Sequence, residues 1–287
     1  MYSSNKELRD IQKVCLNMAK YFVEFCEEHD LLCYLCGGGA IGAIREGGFI
    51  PWDDDLDFFM PRKDYNRLYE LWCKHADVER FAISKPNKHT IDHNNFITIR
   101  DSHTTMIKPY QSELNIVHGI PLDIFPIDIA PETKIKRKIQ KGWAIVRSLY
   151  ATQLLPQNHG KTKKIIAKIL LGIVPSSTWR YYIWSFAEKQ MTKYENTTSN
   201  WVTELCVGPR YMGKIYAKKN FEKAVWVDFE NTRLPIPIGY DEYLREAFGN
   251  YMKRPSENKQ IPHHDVIKVD PHNPYTKYIN QDSNSSN

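Results

Sequence analysis

The 287-residue chain contains no uninterrupted apolar run of about 18 residues, which excludes a transmembrane helix of ordinary length. Its opening, Met1-Tyr2-Ser3-Ser4-Asn5-Lys6-Glu7, lacks the basic start, apolar stretch and small-residue cleavage site of a signal peptide, so a cytoplasmic protein is expected. Cysteine is scarce, and without an export signal the six residues are expected to be reduced thiols. Cys33 and Cys36 form a C-x-x-C, yet no second ligand pair at similar spacing accompanies it, which argues for packing and against zinc. Gly160-Lys161-Thr162 has no preceding Walker glycine, so a P-loop is not expected. Negative charge is missing from one long stretch: no Asp or Glu occurs between Thr133 and Ala187, where eleven Lys or Arg do. The net charge of +5 is gathered there, and the rest of the chain is net acidic.

What is present supports a soluble core, since 42% of residues are hydrophobic and 25% charged. Ser4-Asn5-Lys6-Glu7 is a capping box, and Leu8, Ile11, Cys15, Met18, Phe22 and Phe25 follow at helical spacing to about His29-Asp30. Leu31 to Cys36 reads as a buried strand. Gly37-Gly38-Gly39 comes next, then a short helical turn from Ala40 to Arg45 and a break at Gly47-Gly48. Asp55 to Met60 reads as a second strand, and Asp64 can cap a helix running to about His75. Further strands are predicted at Phe81 to Ser84, Phe96 to Arg100, Thr105 to Lys108 and Ile120 to Phe125. A mostly helical stretch follows from about Glu132 to Thr197, then a helix from about Asp241 to Phe248. The expected organisation is an α+β core over 1–131, a basic helical insertion over 132–200, a part over 201–279 that completes the core, and a polar disordered tail over 280–287.

Chemistry centres on Asp53, Asp54, Asp55 and Asp57. Alternation along a strand puts Asp55 and Asp57 on one face, with Leu56 and Phe58 toward the core and Asp54 turned away. Two adjacent carboxylates repel unless a cation neutralises them, and hard oxygen ligands suit Mg²⁺ or Mn²⁺. Upstream, Gly37-Gly38-Gly39-Ala40-Ile41-Gly42 satisfies G-x-G-x-x-G. The full helix and ribose-binding acid of a dinucleotide fold are missing, however, because Gly47, Gly48 and Pro51 stop the helix early. The turn still lets backbone N–H groups at Gly38 and Gly39 approach a phosphate. The adjacent histidines of His263-His264-Asp265 point different ways and lack spaced partners, so they are expected to pack or touch substrate.

The stretch Gly37 to Tyr65 resembles the LicD family through Gly42-Ala43-Ile44-Arg45, Gly48-Phe49-Ile50-Pro51-Trp52-Asp53-Asp54-Asp55-Leu56-Asp57 and Arg62-Lys63-Asp64-Tyr65. His118-Gly119-Ile120-Pro121-Leu122-Asp123-Ile124-Phe125-Pro126-Ile127-Asp128 is similar to its second motif. Tyr240-Asp241-Glu242-Tyr243-Leu244 with Phe248-Gly249-Asn250-Tyr251-Met252 is similar to its C-terminal one. The resemblance implies a nucleotidyltransferase-like mixed sheet with flanking helices. It further implies that a metal bound by Asp55 and Asp57 holds the diphosphate of a CDP-linked alcohol such as CDP-choline. An acceptor hydroxyl on a lipid-linked glycan or teichoic-acid precursor would then displace CMP. Asp123 would supply a third carboxylate as metal ligand or base, and Asp53 aligns with an acid the family keeps. Arg45 and Arg100 become candidates for phosphate contacts, with Arg45 alternatively pairing with Asp53. Gly39 departs from the family pattern, which carries Ser or Thr there. A choline donor calls for an aromatic cage, which composition does not locate.

Lys134 to Lys141 and Lys161 to Leu171 combine basic and apolar residues at helical spacing, the pattern of a helix lying on an anionic membrane surface. A peripheral protein at the inner face of the cell membrane is therefore expected. No nucleic-acid motif accompanies the charge. The rival functions are nucleotidyl transfer from an NTP, sugar transfer from a nucleotide sugar, and an inactive membrane-associated scaffold.

Overall fold

The computed structural model describes residues 5–155, 160–262 and 264–282. Helix α1 spans Asn5–Glu28, β1 Tyr34–Leu35, α2 Gly37–Arg45, β2 Asp57–Pro61, α3 Arg62–His75, β3 Phe81–Ser84, β4 Ile97–Asp101, β5 Thr105–Ile107 and β6 Ile120–Ala130. They are followed by α4 Lys134–Thr152, α5 Gly160–Ile173, α6 Ser177–Thr192, β7 Trp201–Glu204, β8 Tyr216–Ala217, β9 Ala224–Phe229, β10 Thr232–Pro237, α7 Tyr240–Phe248, β11 Lys268–Asp270 and α8 Thr276–Asp282. The proposed cap Ser4 and the tail residues 283–287 lie outside the described residues. Among these elements no helix is long and apolar enough to cross a membrane.

Among the described residues the main sheet has seven strands, with β1-β2-β6-β4-β3 in order and β7 and β8 joined to the far end of β6. It is mixed: β2 runs parallel to β6, while β4 and β7 run antiparallel to it. The long β6 is the spine. Its first half faces β4, its middle β2 and its last residues β7. This is the mixed sheet with flanking helices expected from the sequence.

Helix α1 covers the sheet because its apolar stripe matches the helical repeat. Ile11, Cys15, Met18, Phe22 and Phe25 are buried, and the Phe22 ring meets Phe58 edge-on while Phe25 packs against Trp72. Helix α3 begins at Arg62, two residues before the expected cap, and Asp64 sits in its first turn. Acidic charge is favourable at that end of a helix. Its carboxylate also accepts the Leu32 N–H. The predicted strand Leu31 to Cys36 pairs only through Tyr34 and Leu35, opposite Phe59 and Phe58. All six cysteines are free thiols, and five of them are buried.

Helices α4, α5 and α6 are interposed between β6 and β7. They are fastened to the core by buried charge as well as apolar packing. Arg62 grips Asp128 of β6 through two hydrogen bonds of 2.6 and 2.7 Å, and Arg147 of α4 pairs with Glu188 of α6 at 3.0 Å. Arg62 also lies 3.8 Å from Glu188, so one network ties α3, β6, α4 and α6 together.

Candidate active site

Four acids sit where α2, β2 and β6 meet, and the backbone around them is held by α1. The buried Gln12 amide donates to the Asp53 carbonyl at 2.8 Å and to the Ile50 carbonyl at 3.4 Å. Since the sheet ladder starts only at Asp57, residues 53–56 are not paired with a neighbouring strand among the described residues. Strict alternation therefore does not govern them. Asp53 and Asp54 are both buried, and Asp55 and Asp57 are half-buried.

Asp57 lies directly opposite Asp123 across the parallel β2–β6 pair. The Asp123 carboxylate is oriented by the Thr98 hydroxyl of β4, which donates to it at 2.7 Å. The expected trio Asp55, Asp57 and Asp123 thus lines one cavity, and Asp53 lines a neighbouring one with Asp55 and Asp57. Burial pushes the Asp57 carboxyl well above the usual range, and repulsion from Asp55, Asp123 and Asp53 adds to it. Asp53 is raised well above that range too, first by burial and then by Asp55 and Asp54. Burial likewise raises Asp55, with His264 opposing. A cluster of this kind is short of positive charge.

Asp54 departs from the sequence reading. Instead of facing away, it meets His264, whose Nδ1 is 3.0 Å from the Asp54 carboxylate and whose Nε2 is 3.7 Å from that of Asp55. Burial opposes protonation of His264, but the Asp54 hydrogen bond and the negative field of the cluster leave its pKa above the ordinary value. Among the described residues, Asp54, Asp55 and His264 place one potential ligand atom each within 4.8 Å of one another. Two carboxylates and an imidazole can hold a divalent cation. His263 lies outside the described residues.

The glycine turn makes room for an acid. A Cβ on Gly38 would stand 2.2 Å from an oxygen of Asp53, so the missing side chain is the space that carboxylate occupies. Gly37 has φ +52°, and its N–H donates to the Tyr243 hydroxyl of α7 at 3.1 Å. Gly39 faces elsewhere. A Cβ there would press on Leu35 and Leu56 at 3.1 Å, so this position looks into the core and does not line either cavity.

Arg45 lines the cavity beside Asp53 but pairs with Glu46 at 2.7 Å and with the Tyr251 carbonyl at 2.8 Å, and not with Asp53. Arg100 is buried in the sheet, where it donates to Ser84 at 2.8 Å and lies 3.6 Å from Asp92. It lines neither cavity.

The two cavities share the walls formed by Asp55, Asp57, Phe125 and Val207. The first, of about 550 Å³, also contains Gly38, Asp53 and Arg45, with an aromatic wall of Trp52, Tyr211, Tyr216 and Tyr243. The second, of about 840 Å³, runs from Asp123, Lys108, Tyr110 and His264 to apolar side chains of α4 and α5.

Glu204 of β7, missed in the sequence, faces the first cavity. One carboxylate oxygen accepts the N–H groups of Cys206 and Val207, and the other is buried with no hydrogen-bond partner among the described residues. The signal for it was an acid at a strand position whose neighbours read as core. Burial pushes its pKa up to about 7. The folded state thus holds its proton more tightly than the unfolded chain, and this contribution to stability is lost as pH rises through about 7. Glu204→Gln should therefore melt close to the parent at pH 4 and above it at pH 8, by on the order of 3 kcal/mol. Parallel melting curves at both pH values, with no pH-dependent gap, would remove the buried carboxylate as the cause.

Comparison with known proteins agrees with the motifs and the sheet. The family model described as LicD/FKTN/FKRP, nucleotidyltransferase domain, matches residues 30–156, a span that takes in the acid cluster and Asp123. The chain is 28% identical over 269 residues to the lipopolysaccharide cholinephosphotransferase LicD of Haemophilus influenzae, covering 90% of this chain and 96% of that one. The α2 glycine turn, the β2 acids and Asp123 opposite them on β6 all lie within residues 30–156, the stretch that matches the LicD-family nucleotidyltransferase domain.

Proposed function

We propose that this protein is a divalent-metal-dependent phosphotransferase. In this reading it moves a phospho-alcohol group from a CDP-linked donor to a hydroxyl of a glycan or teichoic-acid precursor and releases CMP. The observation that carries the reading is the meeting of two cavities at Asp55 and Asp57. Donor and acceptor can then occupy separate chambers, with the phosphorus held at their junction.

The donor belongs in the first cavity, with its diphosphate against the start of α2 at Gly38, where helix N–H groups favour anions. Asp55 with Asp54 and His264, and Asp57 with Asp123 beside them, are the groups to hold Mg²⁺ or Mn²⁺. Such an ion supplies neutralisation of the diphosphate and of the charge on departing CMP. The acceptor enters the second cavity. Asp123, held by Thr98, takes the acceptor proton as the oxygen attacks the phosphorus distal to cytidine. One P–O bond forms and the bond to CMP breaks.

A cationic alcohol such as choline suits the aromatic wall and the unpartnered Glu204 oxygen. Glu204→Gln should raise KM for CDP-choline about tenfold while leaving CDP-glycerol unaffected. Equal effects on both donors would show that Glu204 does not read charge. Gly38→Ala should displace the Asp53 carboxylate and lower turnover on the order of 10²-fold with a near-parental melting temperature.

The reading itself is tested with Mg²⁺ or Mn²⁺, a lipid-linked acceptor, and a panel of CDP-choline, CDP-glycerol, CDP-ribitol, NTPs and nucleotide sugars. CMP release from a CDP-alcohol is expected. Pyrophosphate from an NTP, or a nucleoside diphosphate from a sugar donor, with no CMP from any CDP-alcohol, would overturn it.

A further inference from the structure

Helix α5 wears its apolar side outward. Ile165, Ile166, Ile169 and Ile173 are 58%, 52%, 55% and 72% exposed, and they recur at steps that place them on one stripe. Ala167 and Leu171 are its buried anchors, Leu171 packing with Tyr150, Ala151 and Trp184. Helix α4 repeats the pattern with Ile135 and Ile139 exposed on the side opposite its buried Gln140, Ala144 and Arg147. An apolar surface of this kind is unusual on a soluble chain and marks a docking face.

Charge decides what docks. Lys134, Lys136 and Lys138 of α4 and Lys164 and Lys168 of α5 are exposed among these isoleucines. Arg147 and Arg180 are engaged internally, with Glu188 and with the Val174 and Leu171 carbonyls. No Asp or Glu lies between Thr133 and Ala187 to offset the exposed lysines. A second copy of this face would bring like charges together, whereas an anionic bilayer matches both its apolar stripe and its lysines.

The same face reaches the second cavity. Ile145 of α4 and Ile166 and Leu170 of α5 are exposed and also line it, and its opposite end is Asp123 with Lys108 and Tyr110. The chamber is therefore apolar toward the docking face and polar at the carboxylates. We propose that the α4–α5 face docks on an anionic lipid bilayer and that the cavity receives an amphiphilic acceptor from the lipid side. The delivery half rests on the phosphotransfer reading; the docking half does not.

Vesicle flotation of the full chain tests the docking. Vesicles of phosphatidylglycerol and phosphatidylcholine should recover the protein, pure phosphatidylcholine should not, and high salt should weaken recovery. Changing Lys134, Lys136 and Lys138 to Gln should weaken binding about 100-fold, and Ile165→Asp with Ile169→Asp should abolish it. All of these side chains are exposed, so the fold is retained. Equal recovery on neutral and anionic vesicles overturns the proposal. So does a lipid-free dimer that the isoleucine variant dissolves, since a second copy would then cover the face. For delivery, the isoleucine variant should lose turnover of a vesicle-borne acceptor and keep that of a short water-soluble one. Loss of both, with vesicle binding unchanged, counts against delivery from the lipid. Absence of CMP release in the parent points instead to failure of the phosphotransfer reading.

Discussion

Replacing Asp57 with Asn should lower turnover by roughly 10³-fold or more while making the metal-free protein harder to unfold. The two effects have one origin. Asp57 is held above the usual carboxylate range by burial and then by Asp55, Asp123 and Asp53, so its charge destabilises the metal-free fold. Asn keeps the shape and removes that charge. A group whose folded pKa is raised contributes stability at low pH and loses it as pH rises through the folded value. The metal-free parent should therefore melt lower from pH 5 to pH 8, and Mg²⁺ or Mn²⁺ should flatten that slope. In Asp57→Asn both the slope and the metal-induced rise should shrink. CMP release and thermal unfolding in chelator measure the two halves separately. Full activity in the variant would take Asp57 out of the site.

The second large effect lies away from the chemistry. Asp128→Asn should destabilise the fold by about 3–5 kcal/mol, because it leaves the buried Arg62 guanidinium without its bidentate partner. Against a total stability of about 5–15 kcal/mol for a typical domain, that is enough to unfold much of the protein near body temperature. The double variant Arg62→Met with Asp128→Leu should recover most of the loss, since a buried ion pair and an apolar pair of similar volume are often close in stability. Urea denaturation of the three proteins decides it. A single variant as stable as the parent would mean that Glu188, 3.8 Å from Arg62, suffices to neutralise it.

Much of this arrangement was legible in the residues because it depends on short-range rules. The α1 stripe from Leu8 to Phe25 predicts a helix that runs over Asn5–Glu28. The pattern Leu122-Asp123-Ile124 placed a carboxylate on a strand, and the register sets it opposite Asp57. The failures share a cause. Alternation does not hold at Asp54, because strand pairing begins only at Asp57 and no ladder enforces it before that. His264 approaches Asp54 across 210 residues, a distance over which neither periodicity nor spacing carries information. Gly39 stands where the family pattern carries Ser or Thr, and the direction of its missing Cβ, toward Leu35 and Leu56, is set by tertiary packing that the residue order does not display.

Gln12 holds the acid loop from the first helix, and His264 closes on the same loop from near the other end of the chain. Asp10 and His272 approach to 3.3 Å as well, so α1 and the C-terminal segment meet around it. A growing chain on the ribosome can therefore pair β1, β2, β6, β4 and β3, with the four acids beside them, before it has the imidazole that faces them. Throughout that interval the acids repel one another without His264, and Asp54, Asp55 and His264 come together only after the segment that carries the imidazole has been made.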